Sequence, residues 1–159
     1  MVESKSIIKS PFGNIELIAE GDFLTFCRQT NKRVTTGKVT PVLKETATQL
    51  DAYFKGKLTE FDIPLLERGT PFQMKVWETI ATIPYGSTWS YKQLAKAVGN
   101  PNASRAVGTA NGCNQIWIIV PCHRVIASGG GLGGYGGGLD VKQKLLDIEK
   151  RDIPISILP

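Results

Sequence analysis

The chain has few cysteines and no long apolar run, and each scarcity excludes a class of protein. Its 159 residues include three cysteines, an odd number without the spacing of a disulfide framework. They predict reduced thiols and therefore a cytoplasmic protein. No stretch approaches the ~20 consecutive apolar residues that span a bilayer, and residues 1–9 lack the apolar core of a signal peptide. We expect a soluble protein with no membrane partner.

Acidic residues are also missing from a long internal stretch. Between Glu78 and Asp140 there is no carboxylate, and the net charge of the whole chain is +5. With no carboxylates nearby to repel a polyanion, cations in this stretch are available to contact phosphates. They are Lys92, Lys96, Arg105 and Arg124. The pattern favours a nucleic-acid surface over a chance arrangement in a region rich in glycine, alanine and asparagine.

Histidine occurs once, and its neighbour is a cysteine. The pair Cys122-His123 follows Pro121 and an apolar run at residues 116–120, which we predict to be a strand. A thiol beside an imidazole can be activated as a nucleophile. The alternative is a half-buried structural cysteine beside a surface histidine, and the pair alone leaves both readings open.

The first third of the chain is predicted to be a three-stranded antiparallel meander followed by one helix. Short β-prone runs at 6–9, 15–19 and 23–28 are separated by turn residues. A polar loop at 33–38 follows. Thr40 and Pro41 then suit the start of a helix that Gly56 ends, and residues 57–69 form a connection.

The second part contains three predicted helices that include a helix-turn-helix candidate. Thr70-Pro71-Phe72-Gln73 is a capping-box pattern, and the helix it starts has Phe72 on its apolar stripe. Ser90 can cap a helix at 91–98, and a turn at 99–102 leads to a helix at 103–112. Many such helix pairs bind nothing. The small side chains of the last helix suit sequence-independent docking, and its one cation, Arg105, is either solvated or inserted into a duplex.

A glycine-rich segment at 128–138 surrounds Tyr135 and precedes a last predicted helix at 139–150. Such a segment is either a flexible connector or a loop whose backbone approaches a ligand closely. It lacks the Gly-Lys-Ser/Thr ending of a Walker loop.

These features, in this order, resemble the O6-alkylguanine-DNA alkyltransferases, also called methylated-DNA–protein-cysteine methyltransferases. The Pro-Cys-His-Arg-Val run at 121–125 is similar to the active-site signature of that family. The similarity covers nearly all of residues 70–151 and includes further motifs: Ser90-Tyr91-Lys92-Gln93-Leu94-Ala95, Asn100-Pro101, Arg105-Ala106-Val107-Gly108, Asn114, Tyr135, Gly137-Gly138-Leu139, Lys142 and Glu149.

The resemblance implies an α/β (α+β) fold in two parts. Residues 1–69 would form a small antiparallel sheet with a helix and a connector, and residues 70–159 a winged-helix-like helix-turn-helix domain that accepts the alkyl group and binds DNA. The substrate would be duplex DNA containing O6-alkylguanine, and the reaction a single-turnover DNA repair step. The protein would be a monomer that needs no cofactor. We expect no metal site, because the N-terminal half offers one cysteine and no histidine.

The resemblance also implies roles for individual residues. Cys122 would accept the alkyl group, His123 would act as general base through water, and Glu149 would orient the imidazole. Asn114 would belong to the same network, and Tyr91 would protonate the leaving base. DNA would be bound by Arg105 in the space left by a flipped base, and by Ala106, Gly108, Ser90, Lys92 and Arg124. The substrate pocket would be formed by Tyr135, Gly136, Val125 and Trp117.

Two positions depart from the pattern of the family. Gly136 stands where serine is common, and Trp117 is larger than the residue often found there. We hypothesise that Trp117 favours small adducts such as methyl. Three other functions compete with alkyl transfer: a lesion binder without chemistry, a helix-turn-helix regulator, and a Cys-His hydrolase. The acceptor cysteine argues against the first, the lack of a sensor domain against the second, and the adjacency of cysteine and histidine against the third.

Overall fold

The chain divides between Glu67 and Arg68 into two units, two residues before the predicted boundary. The structure is a computed structural model that describes residues 2–129 and 131–151. In this part of the chain no helix is both long and apolar enough to cross a membrane.

The first unit is an antiparallel meander of three strands with one helix. Strands β1 (Glu3–Ser10), β2 (Gly13–Glu20) and β3 (Phe23–Thr30) lie in sequence order, and helix α1 spans Pro41–Phe54. Alternation along β2 buries Ile15, Leu17 and Ala19, as expected when one sheet face is covered. The predicted meander is confirmed, with each strand longer than its hydrophobic run because paired backbone extends past the apolar residues.

Helix α1 begins where predicted, but its cap differs. Pro41 occupies the first turn, whereas the Thr40 side chain makes no capping hydrogen bond to the helix. Its hydroxyl lies 3.3 Å from that of Ser4 on β1. The threonine therefore ties the helix start to the sheet.

The second unit contains four α-helices in its described residues: α2 (Pro71–Ile80), α3 (Tyr91–Ala97), α4 (Ser104–Gly112) and α5 (Leu139–Arg151). The capping boxes of α2 and α3 are both formed, each with its hydroxyl on the N3 amide and its N3 glutamine on the cap amide. These caps confirm the predicted starts, because they satisfy N–H groups that the first turn leaves unpaired.

A small parallel pair joins the start of α3 to the cysteine region. Strand β4 (Trp89–Ser90) pairs with β5 (Val125–Ile126), and a short 3₁₀ helix, Cys122–Arg124, lies directly before β5. Tyr91, the first residue of α3, is thereby placed beside the Cys-His segment.

Helices α2, α3 and α4 pack on one another around the fully buried residues Val76, Ile80, Leu94 and Val107. The indole of Trp77 donates to the carbonyl of Ala110 at 2.8 Å, which links α2 to α4. Phe72, predicted to face inward, is 38% exposed. It sits in the first turn of α2, one turn before the buried stripe begins at Val76.

Candidate active site

The apolar run at 116–120 is a compact turn, so the predicted strand is wrong. The amide of Val120 donates to the carbonyl of Ile116 at 3.1 Å, and that of Ile119 to Trp117 at 2.8 Å. Ile118 has φ 73°, an unusual conformation for a β-branched residue. A buried turn and a buried strand have the same apolar composition, which is why the run was misread.

Asn114 holds this turn together. Its amide nitrogen donates to the carbonyls of Ile116 and Val120 at 3.2 and 3.0 Å, and its oxygen accepts from the amide of Ile116 at 3.0 Å. The assignment of Asn114 to the histidine network is therefore corrected. Its described bonds go to backbone, and they shape the approach to Cys122.

Cys122 opens the 3₁₀ helix and is only 3% exposed. Its amide donates to the carbonyl of Val120 at 2.8 Å. Its own carbonyl accepts from the amide of Val125 and, at 3.3 Å, from the side chain of Asn111 on α4. The thiol is thus held on a backbone that is fixed at both ends.

His123 and Glu149 form a buried pair. The Nε2 atom of His123 lies 2.6 Å from Oε2 of Glu149, and both side chains are almost fully buried. Burial lowers the pKa of His123 below the ordinary histidine value. Because the ionised carboxylate can only accept, Nε2 carries the hydrogen and Nδ1 is the basic nitrogen. Nδ1 is buried and has no hydrogen-bond partner among the described residues.

Burial alone would raise the pKa of Glu149, but hydrogen bonds and charge from His123 and Arg124 outweigh it and lower the pKa to about 2. The guanidinium of Arg124 donates to both carboxylate oxygens, at 2.8 and 3.2 Å, and the amide of Gly86 lies 3.3 Å from Oε1. The carboxylate is therefore ionised and rigidly oriented beside the imidazole.

Arg124 does not face a phosphate, and its predicted DNA contact is corrected. The side chain is 8% exposed. It donates to Glu149 and, at 2.8 Å, to the carbonyl of Ile83, and its guanidinium lies 5.6 Å from the ring centre of Tyr85. Its partner Glu149 lies 25 residues away on α5. The sequence around Arg124 therefore does not show that its charge is paired inside the protein.

Lys142 is a functional candidate that had no role in the sequence-based prediction. It is fully buried on α5, and its ammonium donates to the carbonyls of Val125 at 2.6 Å, Gly134 at 3.1 Å and Leu132. Burial lowers its pKa to about 8, and the charge of Cys122 acts in the opposite direction. The ammonium and a thiolate at Cys122 therefore stabilise each other. Its spacing from Leu145, Leu146 and Glu149 places it on the inner face of α5. This spacing is the sequence signal that indicates a buried lysine.

The backbone of the glycine-rich loop lies so close to two aromatic rings that no side chain fits between them. A Cβ at Gly133 would lie 2.8 Å from the hydroxyl of Tyr91, and one at Gly137 would lie 2.8 Å from the indole of Trp117. The rings of Trp117 and Tyr135 are 4.9 Å apart and tilted by 43°. The backbone of this loop packs against aromatic rings of the protein, and Lys142 holds the carbonyls of Leu132 and Gly134. Its close approach to a ligand stays a prediction. Gly136 is exposed beside these rings.

The side chain of Val125 is fully buried, and its carbonyl already accepts from Lys142. The pocket role of Val125 stays a prediction, and any contact with a base would come from its backbone.

Helix α4 exposes Arg105 and Ala106 to solvent, and Lys92 is exposed on α3. Gly108 lies under Tyr91, where an added Cβ would be 3.5 Å from the ring. Ser90 uses its hydroxyl to cap α3. The structure therefore leaves Arg105, Ala106 and Lys92 exposed and available to a nucleic acid, while Ser90 caps α3 and Gly108 packs in ordinary contact with Tyr91.

Among the described residues no group of three or more histidine, cysteine, aspartate or glutamate side chains is arranged to hold a metal ion. All three cysteines lie in this part of the chain, and the structure shows no disulfide between them.

Two family models match the chain. Residues 4–66 match the ribonuclease-like domain of 6-O-methylguanine DNA methyltransferase, and residues 71–151 match its DNA binding domain.

Relatives align over nearly the whole length. A methylated-DNA–protein-cysteine methyltransferase from Mycobacterium bovis is 47% identical over 155 residues, 94% of each chain. Another, from Mycolicibacterium paratuberculosis, is 48% identical over 162 residues, 99% of this chain and 98% of that one.

Solved structures are similar too. The O6-methylguanine methyltransferase of Mycobacterium tuberculosis superposes with a TM-score of 0.87 at 45% identity, covering 97% of this chain and 96% of that one. The structure of Mycobacterium tuberculosis OGT in complex with DNA has a TM-score of 0.85 at 47% identity and covers 96% of each chain.

Proposed function

The chain belongs to the 6-O-methylguanine DNA methyltransferase family, and on that basis we propose that it repairs DNA by transferring an alkyl group from O6 of guanine to Cys122. The observation that carries this assignment is a buried cysteine followed directly by a histidine whose imidazole is bonded to an ionised glutamate. A thiol, a base and an orienting carboxylate are the parts of an activated nucleophile.

The base acts on the thiol proton. A free thiol has a pKa near 8.5, so only a few per cent is thiolate at neutral pH. His123 stays neutral because burial lowers its pKa, and its Nδ1 atom takes the proton of Cys122 through a water molecule. Glu149 stabilises the imidazolium that forms, and Lys142 stabilises the thiolate.

The transfer is an in-line displacement. A bond forms between Sγ of Cys122 and the alkyl carbon as the bond from that carbon to O6 breaks. The electron pair of the broken bond stays with the guanine, which takes up a proton, with Tyr91 as the donor in this site. Afterwards the imidazolium of His123 releases its proton to water and the phenolate of Tyr91 takes one up from water. The net change is then the move of one proton from Cys122 to the guanine, and no cofactor takes part.

The base must leave the duplex to react. A thiol that is 3% exposed cannot reach an atom inside a base stack, so the nucleotide is turned out into the site. Arg105, exposed near the start of α4, fills the space in the duplex. Its insertion offsets part of the unstacking cost of a few kcal/mol. Ala106 and Lys92 face the backbone of the DNA.

The product limits the protein to one reaction. A thioether at Cys122 is not a leaving group under cellular conditions, so the thiol is not restored. Three cysteines without a disulfide between them fit the reducing cytoplasm, where we place the protein.

Measuring methyl transfer from a duplex containing O6-methylguanine tests the function. We expect each protein molecule to accept one methyl group, with product formation ending when the protein is consumed. Cys122→Ser should bind the duplex and transfer nothing. A lesion binder or regulator would gain no mass, and a hydrolase would turn over repeatedly; either result would reject the assignment.

A further inference from the structure

Asn111 makes a contact that the mechanism above does not use. It lies in the last turn of α4, on the buried face shared with Val107 and Ala110. Its side chain is 5% exposed and donates to the carbonyl of Cys122 at 3.3 Å. The helix that presents Arg105 to DNA is therefore joined by one amide to the backbone of the reacting cysteine.

The orientation of this amide follows from its partner. A carbonyl oxygen can only accept, so the atom of Asn111 that faces Cys122 is the nitrogen. The oxygen Oδ1 points away from that bond, is buried, and has no hydrogen-bond partner among the described residues. An unsatisfied buried acceptor costs roughly 1–3 kcal/mol of stability. We therefore expect Oδ1 of Asn111 to accept a hydrogen bond from a group that is not part of the chain.

A second acceptor of the same kind lies on the next residue after Cys122. Nδ1 of His123 is buried and without a hydrogen-bond partner in the described chain, and it is the nitrogen that does not face Glu149. Both buried acceptors thus belong to residues joined directly to Cys122, Asn111 by its hydrogen bond to the Cys122 carbonyl and His123 by the peptide bond. A water molecule is the smallest group that donates to both and still accepts from the S–H group, and buried waters typically make about three hydrogen bonds.

We propose that Asn111 is a positioning residue for the transfer reaction, holding with His123 the water molecule that carries the proton away from Cys122. This inference rests on the proposed function. Oδ1 of Asn111 and Nδ1 of His123 accept the two hydrogens of the water, and its oxygen faces the thiol. When the thiol proton moves to the water, the water passes its own proton to Nδ1, so no charge is left on the oxygen.

The test is the pH dependence of the single-turnover rate of methyl transfer, with DNA affinity measured in parallel. Asn111→Met removes both hydrogen-bonding atoms with little change in side-chain length. At neutral pH we expect a rate roughly tenfold below wild type. Above the ordinary thiol pKa of about 8.5, the ratio of variant to wild type should approach one, because a thiolate needs no proton carrier.

Gly112→Ala is the matched control. It adds a methyl group in the same turn of α4, where nothing lies within 4 Å of the new atom. Its rate should equal that of wild type at every pH. If Asn111→Met does not fold, Asn111→Ala replaces it in the test, since alanine is too small to clash and favours the helix. The same change of rate with pH is expected.

Two results would overturn the role of Asn111. A loss by the same factor at all pH values would show that the residue only supports the fold, and an unchanged rate at neutral pH would show that it is dispensable. Both differ from failure of the proposed function, in which wild type itself accepts no methyl group.

Discussion

At the scale of single residues, the active site combines buried charges that depend on one another. Glu149 accepts from His123, Arg124 and the amide of Gly86, while Lys142 is surrounded by carbonyl oxygens. Buried charges are tolerated only when they are paired and hydrogen-bonded. The same contacts that make burial possible also set the protonation states that the reaction needs: an ionised carboxylate, a neutral imidazole and a cation near the thiol.

Trp117 gives a prediction about which alkyl groups are accepted. Its indole is buried against the Tyr135 ring and the backbone of Gly137, and we expect it to limit the space beside the thiol. Trp117→Ala should raise the rate of benzyl transfer relative to methyl transfer by roughly tenfold or more, because apolar pockets discriminate by size to that extent. The measurement is the ratio of single-turnover rates with the two adducts.

Trp117→Phe is the control for this change, since it keeps an aromatic ring and should keep most of the wild-type preference. If the benzyl-to-methyl ratio is the same in wild type and Trp117→Ala, the tryptophan does not select the adduct.

The reactive residues of the site could be predicted where the partners are neighbours in the sequence, and not where they are distant. The proximity of Cys122 and His123 was visible because the two are adjacent. The burial of Arg124 and Lys142 depends on contacts with α5 and with the glycine-rich loop, which no local pattern around each residue displays. Arg124 was therefore misassigned to DNA, and Lys142 was given no role.

At the scale of secondary-structure elements, the proposed function assigns α4 two tasks, contact with DNA and support of the reacting cysteine. Its outer face exposes Arg105 and Ala106, and its inner face places Asn111 on Cys122. The indole of Trp77 on α2 anchors the same helix through Ala110. Helix α4 is therefore held both to α2 and to the backbone of Cys122.

Arg105→Ala tests the DNA-facing side of this helix. We expect transfer from a duplex to slow by roughly tenfold or more, since the inserted side chain offsets unstacking. Transfer from free O6-methylguanine should hardly change, because no base has to be extruded. Single-turnover rates with both substrates provide the measurement.

Lys96→Ala removes an exposed cation from α3 and serves as the control for charge alone. Equal losses on duplex and free base in Arg105→Ala would refute insertion of this side chain.

Helix starts could be predicted where a side chain caps the helix. The type of element could not be predicted where the only signal was a run of apolar residues. Thr70 and Ser90 form the expected capping boxes with the glutamines three residues later. The turn at 116–120 differs from the predicted strand because its fold depends on the positive φ of Ile118 and on the side chain of Asn114, which donates two hydrogen bonds and accepts one. Neither can be inferred from an apolar run.

At the scale of the whole molecule, the buried ion pairs make stability depend on pH. The pKa of Glu149 is lowered to about 2 from an ordinary value of 4.5. Its stabilising contribution is therefore complete above pH 4.5 and is lost as the pH falls through 2. The shift corresponds to about 3 kcal/mol of unfolding free energy. Burial lowers the pKa of His123 in the folded protein as well, so protonation of the unfolded chain destabilises the fold in the same direction.

Denaturant unfolding at neutral and acidic pH measures this dependence. We expect Glu149→Gln to be less stable than wild type at neutral pH by about 3 kcal/mol or more, because Arg124 stays buried without its partner. Its stability should change less than that of wild type between pH 4.5 and 2, the interval that the shifted pKa defines.

Glu78→Gln alters an exposed carboxylate on α2 and should follow the wild-type curve. If wild type and Glu149→Gln lose stability in parallel on acidification, the glutamate does not carry the ionised charge assigned to it.

Locating the transferred methyl group by peptide mass spectrometry tests the central claim most directly. After reaction with a methylated duplex, the group should be found on Cys122 alone, although Cys113 is the more exposed thiol. Non-specific alkylation would favour Cys113. A methyl group on Cys113 or Cys27, or an unmodified protein beside DNA that keeps its lesion, would contradict the assignment of Cys122 as the acceptor.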